Sequence, residues 1–367
     1  MRKRLLASTV AAGLAFGALL ASPAFAAETN LKGAGSSFAN KFITQCAVLN
    51  TDYSISYNPA GSGTGRSAFA NASIAFGASD AASSIASGWS GARSSYTSAN
   101  TKWTYIPVVG GPIGMLYNLP GVSSGALRLD AATIAKIFSG KITKWNDNAI
   151  KALQTTAVKS KLPNAPIRVV YRSANSGTSE NLTNYLRQNA PTIWTRTKNG
   201  TIASGNPAGR MPAGSIGAAN SQALVTSVKA MKYTIGYADL SDAVDAAGKP
   251  KVAVAQVKNP NGEWVAPSSA ASSKFLEAFY SRKYFNSVSG AVNLDFTAKI
   301  PGAYNLSLLT YAIADKGADT VTAGHVENFV KYLINECGPD NAAKLGYAPI
   351  TGSLKTNALT LANAIKP

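Results

Sequence analysis

Histidine and cysteine are nearly absent from this chain of 367 residues, which contains one histidine and two cysteines. The single histidine, His325, stands near the start of a predicted amphipathic helix, which favours a surface or helix-end role over Ser–His or Cys–His nucleophilic catalysis. No zinc-protease or serine-hydrolase motif is present, and Asp239, Asp242 and Asp245 are three apart rather than at the two-apart spacing of a calcium loop. We therefore predict a protein that is not an enzyme and that holds no metal and no cofactor.

Acidic residues are also scarce. The 17 aspartates and glutamates stand against 35 lysines and arginines, which gives a formal net charge of +18. Such a balance attracts small anions, nucleic acids or acidic polymers of the cell envelope. Beyond the first 26 residues no run of five or six basic residues occurs, so we predict no nucleic-acid partner.

Long hydrophobic runs are limited to one, between residues 5 and 20. Arg2-Lys3-Arg4 precede this run and Ala24-Phe25-Ala26 follow it, a pattern typical of a secretory signal peptide cleaved after Ala26. Its removal leaves a net charge of +15. No cysteine stands at the cleavage site to carry a lipid anchor, so we predict a periplasmic or secreted protein. Export also permits a disulfide between Cys46 and Cys337, although two buried thiols fit their number equally well.

The sequence is rich instead in turns that combine glycine with hydroxyl residues, each at the end of a predicted strand. In open α/β sheets, ligands collect at the carboxyl ends of strands. At the turn of residues 172–180 a predicted strand passes into a helix whose first N–H groups attract anions, and Arg172 adds a planar cation. We interpret this turn as an anion site, but by itself it equally fits an ordinary capped helix. The four turns are residues 33–38, 61–66, 76–80 and 172–180.

Together these turns resemble those of the phosphate-binding protein of the high-affinity phosphate ABC transporter, the PstS family. Residues 108–111, 137–147 and 345–349 are also similar to that family, so the resemblance covers essentially the whole mature chain. It implies an α/β, two-lobed periplasmic-binding-protein (type II) fold with the ligand cleft between the lobes. The first lobe would contain residues 27–109 and 303–367, and the second residues 110–302.

The family's function implies a non-catalytic, high-affinity, monomeric phosphate carrier that delivers inorganic phosphate to an ABC permease of the inner membrane. Because both chain ends belong to one lobe of this fold, the resemblance also places Cys46 and Cys337 in the same lobe. Carried over residue by residue, the phosphate ligands are Ser37, Phe38 through its backbone N–H, Ser62, Asp80, Arg172, Ser176, Gly177 and Thr178.

Asp80 is the informative member of this set, because a carboxylate repels an anion unless the anion brings a proton to share. Phosphate near neutral pH retains a proton and sulfate does not, so Asp80 would select phosphate. The alternative for Asp80 is an N-cap on the next helix. The family often has an acidic residue two positions after the arginine, where this chain has Ala174, so we expect a freer Arg172.

The chain also fits a second function on the same fold, that of a secreted basic interaction protein that binds anionic envelope polymers or surfaces. Within the chain we further predict two strands between Thr104 and Leu119, separated by a crossing at Gly110-Gly111-Pro112. Leu127 to Lys151 is expected to be mostly helical, and residues 155–166 and 195–219 to be loops. A helix from His325 should end at Gly338-Pro339.

Overall fold

The computed structural model describes residues 30–82, 91–93, 102–245, 249–281 and 283–366, so the predicted signal peptide lies outside the described residues. Nine strands form one mixed sheet in the order β2-β1-β3-β12-β4-β8-β6-β7, with β9 also paired to β4, and β11-β10-β5 form a second, small sheet. The strands are β1 (Leu31–Gly35), β2 (Ile55–Asn58), β3 (Phe76–Ser79), β4 (Trp103–Asn118), β5 (Arg128–Leu129), β6 (Arg168–Arg172), β7 (Ile216–Ala218), β8 (Thr234–Asp239), β9 (Ala253–Val254), β10 (Gln256–Lys258), β11 (Trp264–Val265) and β12 (Ser307–Asp315).

Helices cover the faces of the large sheet. They are α1 (Asn40–Leu49), α2 (Ser62–Ala70), α3 (Ala131–Phe138), α4 (Asn148–Ala152), α5 (Thr156–Lys159), α6 (Gly177–Asn189), α7 (Ile202–Gly205), α8 (Ser221–Ala230), α9 (Leu240–Ala243), α10 (Ser269–Glu277), α11 (Val321–Tyr332), α12 (Gly338–Asn341) and α13 (Gly352–Ala362). Within the described ranges, none of them has the length and apolar character needed to cross a bilayer.

Strand β4 connects the two halves of the large sheet. Its first part, as far as Pro112, pairs antiparallel with β12, and its second part, from Ile113, pairs with β8. The prediction of two strands is therefore wrong. Gly110-Gly111-Pro112 do not interrupt β4 but pair with β12, and β4 changes its partner from β12 to β8 directly after Pro112. We call β2, β1, β3 and β12 the first half-sheet, and β8, β6 and β7 the second half-sheet.

The parallel strands of each half-sheet deliver their carboxyl ends to one region. Strand β1 runs parallel to β2 and β3 in the first half-sheet, and β6 runs parallel to β7 and β8 in the second. Strands β3 and β6 end at Ser79 and Arg172, so the predicted anion-binding turns follow directly. This topology brings polar residues that are far apart in the sequence to one region of the molecule.

Two predictions about helices are also wrong. Between Leu127 and Lys151 only α3 and part of α4 are helical, because Gly140 adopts a left-handed φ of 77° and the chain turns there. Helix α11 does not end at Gly338-Pro339 but passes through a π-helical turn, Leu333–Cys337, into α12. Pro339 is tolerated because it lies in the first turn of α12. The predicted loops contain the short elements α5, α7 and β7.

A disulfide joins Cys46 of α1 to Cys337 of the π-helical turn, with a Cα–Cα distance of 5.8 Å. Both residues are buried in the core beside Phe42. The bridge closes a loop between positions 291 residues apart in sequence. The bridge therefore connects α1, near the beginning of the described chain, to the π-helical turn after α11, near its end.

We expect the paired substitution Cys46→Ala and Cys337→Ala to lower the free energy of unfolding by about 2–5 kcal/mol, because the loop constraint on the unfolded chain is lost. Urea denaturation of the oxidised protein and of the variant measures this difference. The reduced wild-type protein is the control, and it should unfold near the midpoint of the variant. Equal midpoints for the variant and the oxidised protein would contradict a stabilising role for the bridge.

Candidate functional site

The four glycine and hydroxyl turns of the sequence meet where the two half-sheets touch. All eight predicted ligand residues are buried there. Contacts across the junction include the Gly63 N–H, which donates to the Asn175 carbonyl at 3.3 Å, and the Asn181 amide, which donates to the Asp80 carbonyl at 2.7 Å. The halves are thus in a closed arrangement around the candidate site.

Asp80 follows β3 and is only 3% exposed. Its Oδ1 accepts hydrogen bonds from Ser36 and, at 2.8 Å, from Thr310. Its Oδ2 accepts longer bonds, at 3.3 Å from Ser62 and at 3.5 Å from Thr178. Because both bonds to Oδ2 are long, this oxygen can still accept a strong hydrogen bond from a ligand.

Burial raises the pKa of the Asp80 carboxyl, while the hydrogen bonds from Ser36 and Thr310 and the charge of Arg172 act in the opposite direction. In the described part of the chain, its carboxylate accepts from four hydroxyl groups and from no backbone N–H. The N-cap alternative concerns the helix predicted after Asp80, and residues 83–90 lie outside the described residues.

Arg172 ends β6 and is 2% exposed. Its Nη1 donates to Ser37 Oγ at 3.0 Å, but Nε and Nη2 are buried with no acceptor among the described residues. Burial lowers the pKa of Arg172, and Tyr237, Asp80 and Asp239 oppose that effect. A buried guanidinium with two unpaired nitrogens is a group suited to receive an anion.

The guanidinium of Arg172, beside Ala174, has one hydrogen-bond partner among the described residues, so the freer Arg172 stays a prediction. Ser37 fixes one end of the guanidinium, and the Arg172 backbone N–H donates to the Tyr237 hydroxyl at 3.2 Å. The Ser179 hydroxyl lies 2.6 Å from the same Tyr237 oxygen. Tyr237 of β8 therefore holds the backbone of Arg172 and is itself bonded by Ser179 of α6, whereas Ser37 bonds the guanidinium.

Ser37 connects the two halves. Besides the bond from Arg172, its Oγ accepts the Ser221 N–H at 3.3 Å and lies 3.2 Å from the Ser221 hydroxyl. Ser221 is the first residue of α8, so a helix N-terminus also points into the site. Ser37 is thus held from the second half-sheet by two separate elements.

The turn before α6 brings its backbone into very close contact with the first half. Ser176 caps the helix, since its Oγ accepts the Ser179 N–H at 3.3 Å. Gly177 lies so close to Asp80 and Ser62 that an added Cβ would be 2.6 Å from Ser62 Oγ and 2.8 Å from Asp80 Cβ. Thr178 approaches Asp80 Oδ2. Only glycine fits at position 177.

The predicted ligand set leaves out five polar residues of this site: Ser36, Ser179, Ser221, Tyr237 and Thr310. Ser36 precedes a predicted ligand and could have been weighed equally with it. Thr310 lies inside an apolar strand, and nothing in its local pattern distinguishes it from a core residue. Its position beside Asp80 follows from the pairing of β12 with β3.

Comparison with known proteins finds relatives that match most of this chain. A family model described as a PBP superfamily domain matches residues 22–336. The phosphate-binding protein PstS 3 of Mycobacterium leprae is 32% identical over 337 residues, which cover 89% of this chain and 82% of that protein. PstS 2 of Mycobacterium tuberculosis is 30% identical over 340 residues, or 92% of this chain and 85% of that protein. The chain belongs to the PstS family of phosphate-binding proteins.

Solved structures show the same fold. A high-affinity periplasmic phosphate-binding protein (PfluDING) bound with phosphate has a TM-score of 0.69 and 24% identity, and the match covers 90% of this chain and 93% of that chain. A phosphate-binding protein from Stenotrophomonas maltophilia has a TM-score of 0.66 and 21% identity, with the same coverage. The α/β fold of the periplasmic-binding-protein type predicted from the PstS-family resemblance is thereby confirmed.

Proposed function

We propose that this protein binds inorganic phosphate with high affinity between two closing lobes and delivers it to an ABC permease, without catalysing a reaction. The lobes would comprise residues 27–109 with 303–367, and residues 110–302. A monomer exported to the periplasm or beyond, after cleavage behind Ala26, suits this role. The observation that carries the proposal is the buried Arg172 guanidinium, with two unpaired nitrogens, in the same enclosed site as the weakly bonded Oδ2 of Asp80.

A dehydrated phosphate needs a complete set of hydrogen-bond donors, because otherwise the loss of its water shell prevents binding. Hydroxyl groups of Ser37, Ser62 and Thr178 would supply some of them, and those of Ser62 and Thr178 would turn from their long bonds to Asp80 Oδ2. Arg172 would donate from Nε and Nη2. The backbone N–H groups of Phe38, just before α1, and of Gly177, at the start of α6, would add further donors. Ser176 would contribute mainly by capping α6, which orients those backbone groups.

Asp80 would act as the one acceptor in a site of donors. Monohydrogen phosphate would donate its proton to Asp80 Oδ2, whereas fully ionised sulfate would meet only repulsion. An unpaired, buried carboxylate oxygen facing an anion is costly, so a single residue would produce large discrimination.

Isothermal titration calorimetry of the mature protein tests this function directly. We expect tight binding of phosphate and little binding of sulfate at the same ionic strength. Comparable affinity for the two anions would contradict the proposed role of Asp80. Binding of neither would contradict the function itself.

Replacing Gly177 by alanine should weaken phosphate binding about 5- to 150-fold, because an added methyl group opposes the approach of the two lobes by about 1–3 kcal/mol. Calorimetry measures the affinity. Gly324→Ala is the matched control, since its Cβ would make only ordinary contacts, the nearest at 3.6 Å with the Lys366 side chain. Affinity losses of equal size in both variants would exclude closure at Gly177 as the cause.

A further inference from the structure

A second buried polar cluster joins the two half-sheets beside the candidate anion site. Asp239 Oδ1, at the end of β8, lies 2.6 Å from Ser241 Oγ. Ser241 Oγ lies 2.7 Å from the hydroxyl oxygen of Tyr347, which lies 2.6 Å from the carbonyl oxygen of Phe38. All four residues are buried. We call this row of four oxygens the Asp239 chain.

The hydrogens in the Asp239 chain can be counted. Three contacts of 2.6–2.7 Å between oxygens each require one hydrogen. Ser241 and Tyr347 supply one hydrogen each, and the carbonyl of Phe38 supplies none. With an ionised Asp239, two of the oxygens would lie within 2.7 Å of each other with no hydrogen between them, and their lone pairs would repel. A proton on Asp239 Oδ1 satisfies all three contacts.

The surroundings of Asp239 favour the same protonation state. Its Oδ2 is buried without a partner among the described residues, which is more costly for an ionised carboxylate than for a neutral one. Burial, followed by the neighbouring Asp242 carboxylate, raises the pKa of Asp239 well above its usual value. The Asp242 N–H donates to Asp239 Oδ1 at 2.8 Å, which a protonated oxygen can still accept.

Cations near the cluster act mainly on the other carboxylate. Lys41 Nζ lies 3.6 Å from Asp242 Oδ1 and donates to the Ser241 carbonyl, and Lys251 also acts on Asp242. Arg172 interacts electrostatically with Asp239 and favours its ionised form. Tyr347 is itself held neutral, since burial raises its pKa well above the usual value. The third hydrogen that the Asp239 chain requires is therefore supplied by a protonated Asp239.

We propose that Asp239 is a positioning residue that is protonated in the closed protein and donates to Ser241, so that Ser241 donates to Tyr347 and Tyr347 to the Phe38 carbonyl. This inference rests on the proposed function, because the Asp239 chain would assist closure of the lobes around phosphate. It would hold the loop of Ser37 and Phe38 against the second half-sheet. The Phe38 ring packs edge-on against Tyr347, with centroids 5.6 Å apart, which supports the same contact.

The sign of the resulting pH dependence follows from linkage. Opening the lobes would break the Asp239 chain and hydrate Asp239, so its pKa would be lower in the open state than in the closed state. The contribution of Asp239 to closure is then complete below the open-state pKa and is lost as the pH rises through the closed-state pKa. Between these two values, phosphate affinity should fall by up to about tenfold per pH unit because of this one group.

Asp239→Asn tests the inference, since its amide keeps a donor for Ser241 but cannot titrate. Phosphate dissociation constants of both proteins are measured by calorimetry over a series of pH values. The ratio of wild-type to variant constants removes the titration of phosphate itself. We expect this ratio to increase with pH. A ratio that stays constant would overturn the inference, even if both proteins bind phosphate tightly.

Three further variants identify the group that titrates. Asp242→Asn removes the neighbouring carboxylate and should keep a pH dependence, whereas Tyr347→Phe breaks the Asp239 chain and should abolish it. If Asp239→Asn fails to fold, Tyr347→Phe and Ser241→Ala take its place in the comparison. Persistence of the wild-type pH dependence in Tyr347→Phe would overturn the inference. Failure of the wild-type protein to bind phosphate at any pH would instead refute the proposed function, and the inference with it.

Discussion

Asp80→Asn is expected to bind phosphate about 10- to 150-fold more weakly than the wild-type protein, the range for loss of a hydrogen bond to a charged group. Sulfate affinity should increase in the same variant. The amide oxygen can still accept from Ser36 and Thr310, which bond Oδ1 in the wild type. The amide NH₂ then replaces Oδ2 and offers sulfate a donor instead of a negative charge. Competitive calorimetry with both anions measures the change in selectivity.

Asp130→Asn is the matched control for this experiment. It removes the same charge, but Asp130 caps α3 by accepting the Thr133 N–H at 2.7 Å, and asparagine is an equally good cap. Both anions should therefore bind to this control as they do to the wild type. Unchanged selectivity in Asp80→Asn would show that Asp80 does not face the bound anion.

The same reasoning predicts a pH dependence for sulfate. Burial raises the pKa of Asp80, and as the pH falls through that raised value the carboxyl gains a proton and becomes a donor. Sulfate affinity of the wild-type protein should therefore increase more steeply as the pH falls than that of Asp80→Asn, in which Asp239 still titrates. Sulfate titrations at several pH values compare the two proteins. Parallel pH profiles would contradict an ionised Asp80 as the source of discrimination.

Arg172→Ala is expected to weaken the binding of phosphate and sulfate together, by about 30- to 5,000-fold, because truncating one partner of a buried charge pair costs about 2–5 kcal/mol. Selectivity between the anions should change little, since the guanidinium attracts both. Arg168→Ala is the control, because Arg168 is the exposed first residue of the same strand. It should leave both affinities near their wild-type values.

Stability measurements separate loss of the site from loss of the fold. Without phosphate, Arg172 is a buried cation with two unpaired nitrogens, so its removal should not lower the thermal midpoint of the phosphate-free protein. Phosphate should raise the midpoint of the wild type and not that of Arg172→Ala. Arg172→Lys keeps the charge but loses the planar pair of donors, so we expect intermediate affinity. A destabilised phosphate-free Arg172→Ala would indicate a mainly structural arginine.

The turns of the candidate site were predictable because their residues occur in short local patterns, and the resemblance to the PstS family implied the individual ligands. Each of Ser37, Ser62, Asp80 and Arg172 stands at a strand end or a helix start, and turn chemistry is written in neighbouring residues. The elements around them were less predictable where local signals conflict with tertiary pairing. Pro112 and two glycines predict a break, yet β12 and β8 on either side hold β4 as one strand.

The sequence alone was sufficient to predict a family, an α/β fold and a set of anion-binding residues, since these depend on local composition and on resemblance along the chain. Only the tertiary structure decided that Thr310 and Ser36 bond Asp80, that Ser221 and Ser37 hold the region of Arg172, and that Asp239 reaches Phe38 through two hydroxyl groups. These contacts join residues far apart in sequence, and a hydrogen bond depends on positions in space that chain order does not specify.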